Sequence, residues 1–155
     1  MEKTLRMENR TKRWREQRWL LDSVIKTVGP EWDQGRLGSK GGKGGAAGTA
    51  SFGRAGAKMK KFDDIGPEFG REGQRVESIA KNFEDQGRFV SAYENYFIAS
   101  LLYASAQWPY FDINDEALDW ECRMVQCYDK FIEYAPHPVE RVNIPFQGTA
   151  MSAFL

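Results

Sequence analysis

Apolar residues recur at helical spacing through most of this chain and alternate with polar ones only near its C-terminal end. From Lys3 to Val28, the positions Trp14, Leu21, Val24, Ile25 and Val28 fall at helical spacing among arginines and lysines, and Gly29-Pro30 is placed to stop the helix. Residues 68–86 carry one apolar stripe, Val76, Ile79, Ala80 and Phe83, and Gly87 marks a turn. Arg88 to Gln107 is apolar nearly all round, which predicts a buried central helix ended by Trp108-Pro109. Asn114 is placed to cap the next helix, with Asp115 and Glu116 where the helix dipole favours negative charge.

That last helix has two apolar stripes. Leu118, Cys122, Val125 and Ile132 form one, and Trp120, Met124, Cys127 and Phe131 form the other. A helical hairpin covers one stripe, so the second predicts a further partner. Beyond Val139 the period drops to two: Val142, Ile144 and Phe146 alternate with polar neighbours, Gln147-Gly148-Thr149 supplies a turn, and Ala150 to Leu155 begins a second apolar run. A lone two-stranded ribbon is marginal in water, and an open apolar edge invites another strand. The expectation is therefore a chain that lacks the sheet its ribbon would join.

The 155 residues are 41% apolar, with five Trp, six Tyr and ten Phe, enough for one core. Formal net charge is zero but unevenly spread: Gly35 to Lys61 holds seven Lys or Arg and no acid, whereas Asp112 to Glu140 holds eight acids against Arg123 and Lys130. Residues 35–56 contain nine of the fifteen glycines, and Leu37 and Phe52 are their only sizeable apolar groups. So little burial cannot offset the entropy of ordering, which predicts a mobile loop. The expected organisation is an N-terminal helix over 1–34, a Gly/Lys-rich flexible loop over 35–66, a helical unit over 67–137 and strands over 138–155.

No segment approaches the roughly 18 apolar residues of a membrane span, so no membrane partner is expected. Asp22 cuts short Trp19-Leu20-Leu21, and Glu2, Glu8 and Glu16 do not suit an acid-poor transit peptide, so the expected location is cytoplasmic.

Candidate chemistry is sparse. Gly38 to Lys43 lacks the spacing and the Ser or Thr of a phosphate loop, and the looser dinucleotide pattern Gly42 to Ala47 has no strand before it. Lys40, Lys43, Arg54, Lys58, Lys60 and Lys61 are suited to neutralising phosphates, which makes a basic nucleic-acid-binding protein one alternative, though not the favoured one. Asp112, Asn114 and Glu116 begin like a calcium loop, but Ala117 and Arg123 occupy the positions that need Gly and an acid. His137 is the only histidine, no cofactor or metal is expected, and Cys122 and Cys127 read as reduced core residues. The pair over 68–107 resembles one tetratricopeptide unit through Ala80, Gly87, Ala92, Tyr93 and Ala99, so a helical interaction module is a second alternative.

A third resemblance covers more of the chain. Ala106-Gln107-Trp108-Pro109-Tyr110 follows a Tyr-rich helix, a second helix holds Tyr128-Asp129-Lys130, and Pro138 to Phe146 precedes Gly148. This order resembles the N-terminal part of the α/β-hydrolases that carry a helical cap, a group including the 2,6-dihydroxypseudooxynicotine hydrolases and the fungal heptaketide pigment hydrolases. The resemblance spans about residues 68–155. It implies a mainly α fold, a helical cap, with a C-terminal β-hairpin that opens the sheet of a missing α/β-hydrolase domain. It also implies action on ester bonds or on carbon–carbon bonds next to ketones, with Trp108, Tyr110 and Phe111 lining the pocket for a small-molecule substrate. The Gly-x-Ser-x-Gly elbow that presents the nucleophile in such enzymes does not occur in these residues, so no catalytic residue is assigned and the fragment is expected to be inactive by itself. The implied partner is the catalytic domain, or a second copy bound through the ribbon.

Overall fold

The computed structural model describes residues 2–29, 43–110 and 112–155, with side chains from Arg15 onward. It is mainly helical and ends in an antiparallel hairpin, as the periodicity predicts. The helices are α1 (Glu2–Val28), α2 (Gly45–Gly56), α3 (Ile65–Asp85), α4 (Phe89–Ala106) and α5 (Asp115–Glu133), with a 3₁₀ turn at Phe62–Asp64. Strands β1 (Arg141–Phe146) and β2 (Thr149–Phe154) form the ribbon.

Helices α3 and α4 make the central pair, turning at Gly87, whose φ of +69° is the left-handed conformation a glycine adopts without strain. Val76 and Ala80 of α3 and Ala92, Ala99, Leu102 and Tyr103 of α4 are all buried, so the predicted faces do meet. Only the first turn of α4 departs from the expected burial, with Phe89 and Val90 exposed. On α3 the glycines at 66, 70 and 73 lie on one side, and each faces an aromatic ring: Tyr110, Trp120 and Tyr103 in that order. Glycine costs a helix about 1 kcal/mol relative to alanine. Here it lets three rings rest directly against the helix backbone.

Helix α5 begins at Asn114, whose side chain accepts a hydrogen bond from the Ala117 N–H at 2.8 Å. Its Trp120 and Cys127 are buried, and Met124 and Phe131 pack against the same core. Trp120 stacks on Tyr103 at 5.8 Å, while Phe131 stacks on Tyr93 and Phe97 at 4.5 and 4.7 Å. The other stripe stays outside: Leu118 and Val125 are exposed and so is Cys122, which corrects the expectation that both cysteines are in the core.

The expectation of a flexible loop over 35–66 also needs correction. Residues 30–42 lie outside the described residues, but 45–56 are helical and residues 59–66 lie against the body. Phe52, Ala55 and Met59 are buried, with Phe52 tilted against Phe69 at 5.3 Å. An ionic clamp adds to this. Glu72 of α3 is only 6% exposed and accepts from Arg54 of α2 at 3.0 Å and from Arg75 at 2.7 and 2.9 Å. The glycines of α2 are offset by contacts made across the fold. Helix α1 joins on the same side: Ile25 is buried and Asp22 accepts from the Phe62 N–H at 2.8 Å.

The hairpin closes through Gln147 and Gly148, both at positive φ, the left-handed pair that matches strand twist. Its register pairs Val142 with Ala153, Ile144 with Met151 and Phe146 with Thr149 on one face. Arg141 with Phe154, Asn143 with Ser152 and Pro145 with Ala150 make the other.

Candidate functional site

The polar residues of the three-helix body form a ladder with a seven-residue step. Glu77 and Glu84 of α3, Tyr103 and Tyr96 of α4, and Arg123 and Lys130 of α5 meet in two tiers along a groove of about 410 Å³. In one tier the Tyr103 hydroxyl donates to Glu77 at 2.6 Å, with the Arg123 guanidinium 3.6 Å from the same carboxylate. In the other, Lys130 Nζ donates to Glu84 at 2.8 Å, and the hydroxyls of Tyr96 and Tyr134 also donate to it. These contacts set the protonation states. Hydrogen bonds from Lys130, Tyr134 and Tyr96 hold the Glu84 carboxyl down at about 2. For Glu77, burial is the largest single influence and pushes upward, but Lys81, Tyr103 and the nearby cations together outweigh it. Burial, with the Glu77 charge behind it, pushes the Cys127 thiol up to about 12.

A general acid or base works best with a pKa near the working pH, and a nucleophilic cysteine needs its thiolate. Glu84 is held ionised and the Cys127 thiol protonated at neutral pH, and the ladder's contacts tie α3 to α4 and α5. Among the described residues, no group of three or more His, Cys, Asp and Glu is placed to hold a metal ion.

The less satisfied surface lies at the ribbon. Its Arg141/Phe154 face turns toward α5: the Phe154 ring meets Tyr128 edge-on at 5.3 Å, and Arg141 pairs with Asp129. The more apolar face therefore turns away from the helices, leaving Ile144, Phe146 and Met151 46%, 47% and 47% exposed. The two edges of the ribbon also differ. Glu140 and Leu155 exchange N–H···O bonds of 2.9 and 3.0 Å, and such pairs alternate along an antiparallel ladder. Arg141, Asn143 and Pro145 thus direct their backbone groups off the outer edge of β1, and Ala150, Ser152 and Phe154 direct theirs off β2. Pro145 has no N–H to offer, so the β1 edge is interrupted. The β2 edge is continuous, and Thr149 to Phe154 contains no charged residue and no proline. It lacks the charges and prolines with which proteins protect exposed edges.

Between the ribbon, α4 and α5 lies an apolar hollow of about 560 Å³, walled chiefly by Leu101, Ala104, Met124, Val125, Tyr128 and Phe154. Trp108 and Tyr110, expected with Phe111 to line a substrate pocket, are not among the residues of this hollow. Trp108 packs its ring on Phe62 at 5.3 Å, Tyr110 sets its hydroxyl over Gly66, and Phe111 lies outside the described residues. Tyr110 Oη and Trp120 Nε1 are buried beside each other, and burial with the nearby Glu116 carboxylate pushes the Tyr110 hydroxyl up to about 12. Lys43 and the glycines after it lead into α2, with no strand preceding them among the described residues.

Sequence reasoning missed the ladder and the hollow. The ladder left a signal, since each of its three residue classes recurs after seven positions, but only the antiparallel docking of α4 shows which recurrences meet. The hollow left none, because it depends on how the ribbon folds back on α5. Among the described residues, no helix is long and apolar enough to cross a membrane. No family model matches this chain, and no curated protein matches it.

Proposed function

We propose that this chain is the helical cap region of a cytoplasmic α/β-hydrolase together with the first two strands of its catalytic sheet. In this reading α3, α4 and α5 roof an active site, exclude water from it and shape the space for an ester or ketone substrate. The nucleophile, its base and the oxyanion donors belong to the catalytic body that the ribbon joins, because no elbow sequence occurs in these residues. The observation that carries the proposal is the ribbon itself. Ile144, Phe146 and Met151 face away from the chain's own helices, beside an uninterrupted and uncharged β2 edge. A strand added at β2 would satisfy that edge, and a layer packed on the apolar face would cover the three side chains.

A chimaera tests this. The chain is placed ahead of a catalytic domain taken from a capped α/β-hydrolase that has lost its own cap and first two strands. Turnover of p-nitrophenyl butyrate is expected to return, and to be lost when Ile144→Asp and Phe146→Asp are combined. A folded, soluble chimaera with no turnover would overturn the proposal.

A further inference from the structure

We infer that the hollow between the ribbon and helices α4 and α5 is a binding site for a neutral, apolar small molecule. Its volume of about 560 Å³ lies within the range of small-molecule sites. It is bounded by two helices and by the inner face of the ribbon, so a ligand there touches three elements at once.

The chemistry of the walls selects the class. Leu101, Ala104, Met124 and Val125 offer only aliphatic groups and a thioether, and Tyr128 and Phe154 offer ring surface. Apart from the Tyr128 hydroxyl, which is neutral, the polar side chains of the lining make contacts within the chain. Ser100 Oγ donates to the Phe97 carbonyl at 2.7 Å, and Ser152 Oγ donates to Asn143 Oδ1 at 3.0 Å. Arg141 is held between Asp129 and the Phe154 ring, with its guanidinium 5.0 Å from the ring centroid. Cation and anion at the rim cancel, so the lining carries no net charge. An anionic or cationic ligand would surrender its hydration without a free counter-charge to replace it. A neutral ring or chain gives up only apolar contact with water.

An occupant of the hollow would also brace the ribbon. It is fastened to α5 by the Tyr128–Phe154 ring contact and the Arg141–Asp129 pair, and the hollow separates the rest of its inner face from α4. A ligand seated there supplies packing between ribbon and helices, so binding stiffens the ribbon. The inference does not depend on what the outer face of the ribbon joins.

The probe is N-phenyl-1-naphthylamine, a neutral dye that brightens in apolar surroundings, compared with its sulfonated analogue, which shares the ring system. The full chain is expected to bind the neutral dye saturably at one per chain, and the sulfonate at least about tenfold more weakly because its charge must be desolvated. Val125→Trp fills the hollow from an exposed helix position and is expected to weaken the neutral dye about tenfold, with unchanged helical circular dichroism. Ala104→Phe repeats the test from α4. The double variant Ile144→Ser/Phe146→Ser, on the opposite face of the ribbon, is expected to bind the dye as the native chain does. Non-saturable binding, equal affinity for both dyes, unaltered binding by folded Val125→Trp, or loss of binding in the ribbon double variant would each overturn the assignment.

Discussion

Helix α4 and the C-terminal ribbon are both rich in apolar residues, yet the chain treats them oppositely. Ala92, Tyr96, Ala99, Leu102 and Tyr103 of α4 are sealed between α3 and α5, whereas Ile144, Phe146 and Met151 of the ribbon meet solvent. Polar groups follow the same division. Glu72, Glu77 and Glu84 in the helical body each accept from two or more donors on neighbouring residues or helices, while the β2 edge has no strand paired to it among the described residues and no charge to protect it. Apolar content therefore does not identify the core of this chain. What identifies it is whether a complementary face exists elsewhere in the same residues. Where one exists the region is finished, and where none exists the surface is available to a partner.

The largest effect expected from testing this contrast lies in the finished half. A Cβ added at Gly70 would sit 2.5 to 2.9 Å from the Trp120 indole, which is itself buried against Tyr103. Gly70→Ala is expected to destabilise the chain by about 1–3 kcal/mol through overpacking, despite alanine's better helix propensity. Gly53 in α2 has nothing within 4 Å of its Cβ position. Gly53→Ala should instead stabilise by up to about 1 kcal/mol. Urea titrations of both variants check the pair. Equal shifts of the same sign would show that the α3 glycines do not mark a close-packed seam.

The two glycine-bearing helices also show what the sequence made legible. Helices α3 to α5 and the two strands could be read locally, because each announces itself by apolar period, a cap or a turn: Asn114 before α5, Gly87 after α3, Gln147-Gly148 in the hairpin. Helix α2 could not be found from composition, since nine glycines over residues 35–56 predict disorder and its order comes from partners far along the chain. Phe52 meets Phe69, and Arg54 meets Glu72 eighteen residues away. The spacing of Phe52 and Ala55 is a local sign of a helix face, but it is too short to stand out among so many glycines. The exposed stripe of α5 and the unpartnered ribbon were legible, whereas the hollow beneath the ribbon follows from packing alone.

Acid should open the finished half in a defined window. The Glu84 carboxyl is held at about 2, against about 4.3 for a free glutamate, and Glu72 and Glu77 are also lowered in the fold. Each depressed carboxylate contributes stability that is fully present above its unfolded pKa and is lost as pH falls toward its folded value. Thermal midpoints are therefore expected to hold above about pH 5 and to fall steadily toward pH 2. Glu84→Gln should lower the midpoint at neutral pH and flatten the acid limb. An acid limb identical in native chain and variant would remove Glu84 from the account.

The smallest effect on stability is expected at the ribbon, and it discriminates most sharply between the two regions. Ile144 and Phe146 keep nearly half their surface in water and bury the rest within the two-stranded ribbon. Replacing both by serine removes packing on the ribbon's outer face and leaves the helical core, which sets the unfolding midpoint, intact. The unfolding midpoint of Ile144→Ser/Phe146→Ser should shift by no more than surface substitutions usually give, about 0.5 kcal/mol per site. Self-association should change far more, because the apolar face and the β2 edge together attract a second ribbon when no other partner is present. Sedimentation velocity across a concentration series is expected to show reversible dimers of the native chain and monomers of the variant. A monomeric native chain would mean that the exposed face is too small to act alone. A variant destabilised as much as Gly70→Ala would mean that the ribbon belongs to the finished half after all, with its apolar face already covered.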